Sequence, residues 1–148
     1  FCNTNNCRYS PLLNRTGYIY SHTTGIKHRC VTNISCRSSN LIYAISCKIC
    51  RIQYVGQTSA RIKDRSVHHF RDIQMSNQDK SVGRHFSGPD HHGFKDLNIT
   101  ALEFIKAPPK SPRAIHIRNR VEKNGTDQLR TLAPQGLNME SPKEFGPK

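Results

Sequence analysis

The chain has 148 residues, of which 34% are hydrophobic and 22% charged, enough for one core that buries roughly 70% of the surface its unfolded form exposes. Lys and Arg outnumber Asp and Glu by 23 to 10, giving a net charge of +13 and a pI near 9.9, which asks for a partner of opposite sign and suits nucleic acid. The longest apolar run, starting at Leu41, is far shorter than the roughly 20 residues of a membrane span, so no membrane partner is expected.

The sequence starts at Phe1 without an apolar secretory segment and reads as a piece of a longer protein. Six cysteines and four sequons, at Asn14, Asn33, Asn98 and Asn124, would by themselves fit a secreted disulfide domain. The Cys47-x-x-Cys50 pair, eight histidines and the basic excess favour an intracellular, reducing, nuclear setting instead. Residues 1–63 hold nine Lys or Arg and no acid before Asp64.

Residues 1–38, rich in Asn, Ser, Thr and Arg with Cys2, Cys7, Cys30 and Cys36, read as an irregular basic leader. Leu41–Ile45 and Ile52–Gly56 are β-rich runs on either side of the Cys-x-x-Cys turn and predict a hairpin. From Ser59 to Ile73, Ile62, Ser66, Phe70 and Ile73 recur at helical spacing, with Thr58 or Ser59 as N-cap. A short helix is expected over 80–86 and a third strand over 97–106. Ser111-Pro112 has the form of an N-cap followed by Pro, and the helix it opens is expected to stop near Asn124-Gly125. Residues 139–148 read as a disordered tail.

Taken singly, Tyr43 and Tyr54 are ordinary strand residues, and Glu122, four after Arg118, is an ordinary helix-surface partner. Together they form an ordered set: Tyr43, then Tyr54-Val55-Gly56, then Arg65 and His69 four apart on one helix face, then a distant Glu122. This order resembles the GIY-YIG nuclease family, with Leu41 in place of the glycine that names the first motif. Cys47-x-x-Cys50, Tyr54-Val-Gly-Gln-Thr58, His85-Phe86 and the run Leu129–Asn138 narrow the resemblance to the endonuclease domain of Penelope-like retroelements, over about residues 36–138.

The resemblance implies an α+β domain over 39–138, with a three-stranded antiparallel sheet flanked by helices. It also implies metal-dependent nicking of DNA that leaves a 3′-hydroxyl, serving retroelement integration alongside a reverse transcriptase upstream of Phe1. Phosphodiester hydrolysis needs cationic stabilisation, a divalent metal and a base for water. On this reading Arg65 meets the phosphate, Glu122 holds Mg²⁺ or Mn²⁺, Tyr43 is the general base, and Tyr54 and His69 orient water or phosphate. Gly56, Thr58, Arg61, Lys63 and Arg118 would contact substrate, Arg61 being a rival to Arg65. Further phosphate contacts would come from Arg37, Lys48, Arg51, Arg113 and Arg120.

Cys47 and Cys50 read as half of a structural Zn²⁺ site, completed by His85 and by His91 or, as the alternative, His92. Gly125-Thr126 stand where the retroelement pattern has Trp-Ile, and the lost aromatic is expected to fray the helix carrying Glu122. The rival reading is therefore a catalytically inactive, zinc-stabilised nucleic-acid-binding module from a decayed element.

Overall fold

The computed structural model describes residues 7–139; Cys2 and the expected tail beyond Met139 lie outside the described residues. The fold is α+β. Its centre is a three-stranded antiparallel sheet of β3 (Ser39–Cys47), β4 (Gln53–Arg61) and β5 (Leu97–Phe104), in the order β4-β3-β5. The central strand is apolar nearly throughout because it is buried on both faces. Leu41, Tyr43, Ile45 and Cys47 point to one core, and Ile42 and Ala44 to the other, the two-residue alternation of a strand.

The first face is covered by α1 (Ile62–Gln74) and α2 (Ser81–Phe86), through Ile62, Ile73, Val82 and Phe86. The second is covered by α3 (Pro112–Leu129), through Ala114 and Leu129. Ser111 Oγ accepts from the Ala114 N–H at 3.1 Å, which makes Ser111 the cap foreseen for α3.

The leader is not irregular. Tyr18–Tyr20 (β1) and Lys27–Arg29 (β2) pair as a second, two-stranded antiparallel sheet. Leu12, Leu13 and Ile34 enter the core on the α1 face, and Ile19 enters the core on the α3 face. These few apolar residues lack a period in sequence, and only their burial against the larger sheet gives the segment its shape. The leader also ends a helix: the N–H groups of Ile62 and Lys63 donate to Ser38 O (2.7 Å) and Cys36 O (2.8 Å), satisfying donors that have no partner within α1. Thr58 and Ser59 are therefore not its cap. Strand pairing carries β4 as far as Arg61, opposite Ser39, and the Thr58 hydroxyl is used within the strand, accepting from the Ala60 N–H at 3.1 Å.

The helix α3 does not stop at Asn124-Gly125. It runs four residues past Gly125 to Leu129, with Arg130 closing it at φ 52°. Its apolar face continues through Thr126 and Leu129, 1% and 2% exposed, so packing outweighs the roughly 1 kcal/mol that a helical glycine costs. A Cβ at Gly125 would lie 3.2 Å from Leu102 Cδ1 and 3.3 Å from Val55 Cγ1. The helix thus rests close on the sheet at Gly125, and it continues through this point instead of fraying as expected.

Candidate active site

Tyr43 lies on the central strand with its side chain fully buried, opposite Gly56 in the β3–β4 register. A Cβ at position 56 would stand 2.7 Å from the Tyr43 hydroxyl and 2.9 Å from Tyr54 Cε2. Only glycine lets both tyrosines lie over β4 at this point. The Tyr43 hydroxyl is 2.7 Å from His69 Nε2 and accepts from Arg65 Nε at 3.1 Å. Arg65 and His69 reach it together because they sit one turn apart on α1.

Burial holds His69 well below the usual imidazole range, at about 3, with the Arg65 charge adding to the effect. The ring is therefore neutral near pH 7. Arg65 can only donate, so the Tyr43 oxygen accepts from its Nε, and the Tyr43 hydroxyl makes a second short contact with His69 Nε2. Burial also raises the Tyr43 and Tyr54 hydroxyls above the usual phenol value, against a lowering by Arg65. Tyr54 packs edge-on to His69 at 5.9 Å. An open cavity of about 340 Å³ is lined by Tyr54, Arg65, His69, Lys80 and Asn138, among others.

Glu122 comes from α3, on the other face, and approaches over β4, an edge strand of the sheet. Burial raises its carboxyl above 4.5, while a hydrogen bond from Gln57 and the Arg65 charge pull the other way. Gln57 Nε2 donates to Glu122 Oε2 at 3.1 Å, and Gln57 Oε1 accepts from Arg118 Nε at 3.2 Å. Arginine has no acceptor, so Arg118 fixes which end of the Gln57 amide faces Glu122.

Arg118 is 6% exposed, and its Nη1 also donates to Asn40 Oδ1 and Pro109 O, both at 2.7 Å. This corrects its expected part in substrate contact: the guanidinium is consumed inside the protein, where it ties α3 to the sheet. Thr58 is likewise buried. Arg61 is exposed and pairs with Asp64 at 2.9 Å, so Arg65 rather than Arg61 reaches the tyrosines. Lys63 is partly exposed.

Two residues of the site carried no role in the sequence reading. Gln57 is one: it lies inside the Tyr54-Val-Gly-Gln-Thr58 motif, but its position there assigned it no role. Asn138 is the other: its Oδ1 accepts from the Val55 N–H at 2.9 Å and its Nδ2 donates to Val55 O at 2.8 Å. The side-chain amide thereby pairs with the open edge of β4 between Tyr54 and Gly56. Its lone signal in sequence is its place at the end of the Leu129–Asn138 run.

A second cluster lies at the other end of the hairpin. Cys47, Cys50, His85 and His91 each offer one ligand atom, and all four atoms lie within 4.8 Å of one another. Cys50 Sγ is 3.3 Å from His85 Nε2 and 3.9 Å from His91 Nε2, close to the roughly 3.3–3.8 Å edges of a tetrahedron built from ordinary Zn–S and Zn–N bonds. This cluster could hold a metal ion. Its turn is shaped by Arg51 at φ 72° and by the Lys48 N–H donating to Asp96 O at 2.8 Å. His92 is turned away, with Nδ1 3.5 Å from Asp96 Oδ1. The five described cysteines form no disulfide.

Comparison of the chain with family models, with curated proteins and with solved structures finds no match.

Proposed function

We propose that this chain is a metal-dependent DNA endonuclease of the GIY-YIG kind, closest to the endonuclease domain of Penelope-like retroelements, and that it acts in the nucleus with a reverse transcriptase. The observation that carries the reading is the Tyr43 hydroxyl, shared between Arg65 and neutral His69 above Gly56. A buried phenol, a guanidinium and an imidazole thereby converge beside an open cavity.

Arg65 gives Nε to Tyr43 and has further N–H groups to meet a phosphate oxygen in the cavity. Tyr43 is the general base for the attacking water on this reading; burial raises its hydroxyl above the usual phenol range, so the Arg65 guanidinium and a bound divalent ion would have to lower it before it takes that proton. The water oxygen bonds to phosphorus, the bond to the 3′-oxygen breaks, and that oxygen takes a proton from solvent. The Glu122 carboxylate suits Mg²⁺ or Mn²⁺: Gln57 holds Oε2, and among the described residues Oε1 has no hydrogen-bond partner. Such an ion, when bound, supplies charge neutralisation at the phosphate and acidifies a water. The Cys₂His₂ cluster suits structural Zn²⁺ by its donor set and spacing. The net charge of +13 supports DNA as the partner.

The test is nicking of supercoiled plasmid with Mg²⁺ or Mn²⁺ by zinc-loaded protein, compared with Glu122→Ala. Nicked circles that require both the metal and Glu122 are expected, with DNA binding spared in the variant. Folded, DNA-binding protein that never nicks would sink the nuclease reading and leave the binding module.

A further inference from the structure

Beside the metal cluster, on the side of α1 and the leader, lies an open pocket of about 630 Å³, within the roughly 300–1,000 Å³ of small-ligand sites. Its floor is aromatic. Phe70 and Phe94 meet edge to face at 5.0 Å, and the Arg8 guanidinium lies 4.8 Å from the centre of the Phe70 ring. Its rim is basic, with Arg8, Lys48 and Lys95 all exposed and, among the described residues, no Asp or Glu in the lining. The backbone bond from Lys48 N to Asp96 O holds the two lysine-bearing segments side by side.

We propose that this pocket binds single-stranded DNA, stacking one unpaired base on the Arg8–Phe70 platform while Lys48 and Lys95 hold the adjoining phosphates. Aromatic faces inside a cationic rim are the combination that takes unpaired bases and a phosphate backbone. Among the described residues the lining has no amide or carboxylate side chain to read a base edge, and stacking with phosphate contacts is expected to be tolerant of sequence. A base stacked inside a duplex cannot reach the platform. The inference rests on the nuclease reading for its choice of DNA, and gives the unpaired strand of that substrate a place.

The test is fluorescence anisotropy with a twelve-nucleotide oligo-dT, without Mg²⁺ or Mn²⁺, on zinc-loaded protein over a series of salt concentrations. Lys48→Ala with Lys95→Ala is expected to weaken binding and to lower the log–log salt slope by roughly 1.4, at roughly 0.7 for each phosphate no longer neutralised. Phe70→Leu keeps an apolar side chain and is expected to weaken binding roughly 5- to 100-fold with the slope unchanged. Melting temperature and zinc content of both variants are read alongside, and the lysine pair, being exposed, tests the site even where Phe70→Leu loosens the fold.

Oligo-dT affinity indifferent to the lysine pair overturns the proposal. So does an equal effect of Phe70→Leu on a blunt duplex of the same length, and tighter binding of oligo-U through these residues overturns the assignment to DNA. Plasmid nicking by the same proteins separates the two readings. Protein that never nicks but binds oligo-dT through Lys48 and Lys95 removes the nuclease and keeps the pocket. Protein that nicks while its oligo-dT affinity ignores these residues removes the pocket alone.

Discussion

A methyl group at position 56 would sit 2.7 Å from the Tyr43 hydroxyl and 2.8 Å from Tyr43 Cζ, and neither strand can retreat without breaking its ladder. Gly56→Ala is expected to cost about 1–3 kcal/mol in urea unfolding and to displace Tyr43 from Arg65 and His69, so that nicking falls further than stability does. His69 makes a separate, pH-dependent prediction. Its folded pKa of about 3 lies below the 6.5 of a free imidazole, so between these values the unfolded chain binds the extra proton. Stability from this group is therefore intact above pH 6.5 and is lost as pH falls toward 3, at a limiting slope of roughly 1.4 kcal/mol per pH unit. Urea unfolding of His69→Gln against the parent protein at pH 7 and pH 5 checks this, since the variant is expected to lose less stability over that range.

At the scale of elements, the edge of β4 is closed by a side chain rather than by a strand. Asn138→Ala would leave the Val55 N–H and C=O without their partners beneath the chain segment that follows α3, an expected loss of about 2–4 kcal/mol in urea unfolding. The hairpin turn and the loop after α2 meet at the four residues of the Cys/His cluster and through the Lys48 N–H to Asp96 O bond. Chelation, or Cys50→Ser, is expected to lower the melting temperature and to abolish one equivalent of bound zinc, read by calorimetry and metal analysis. For α3, Gly125→Ala sets a gain in helix propensity of about 1 kcal/mol against crowding of Leu102 and Val55 at 3.2 and 3.3 Å. The net change is expected to stay within about 1 kcal/mol, because Leu102 is partly exposed and its Cδ1 can turn aside.

For the whole molecule, burial joins parts that the sequence keeps far apart. Residues 7–38 deliver Leu12, Leu13 and Ile34 to one core and Ile19 to the other, and their carbonyls cap α1. Removing them is expected to expose Ile45 and Ile99 and to unfold the sheet rather than to trim a linker. Much of the candidate site was nonetheless legible. Tyr43, Arg65 and His69 converge as their motif order suggested, and Cys47, Cys50, His85 and His91 fall within one metal ion's reach. Arg118 was misread because an arginine four residues before a glutamate looks like surface in one dimension; its acceptors, Asn40 and Pro109, lie on other elements.

What the sequence determined by itself was whatever depends on near neighbours along the chain. Alternation along β3 and β4, helical spacing in α1, the Ser111-Pro112 start of α3 and the Cys-x-x-Cys turn all act over a few residues, within reach of local sterics and hydrogen bonding. The tertiary structure alone decided the burial of the leader, the passage of α3 through Gly125, the internal use of Arg118 and the grip of Asn138 on β4. Each of these joins groups distant in sequence, where the free energy of removing apolar surface from water and of satisfying buried polar groups overrides local preference.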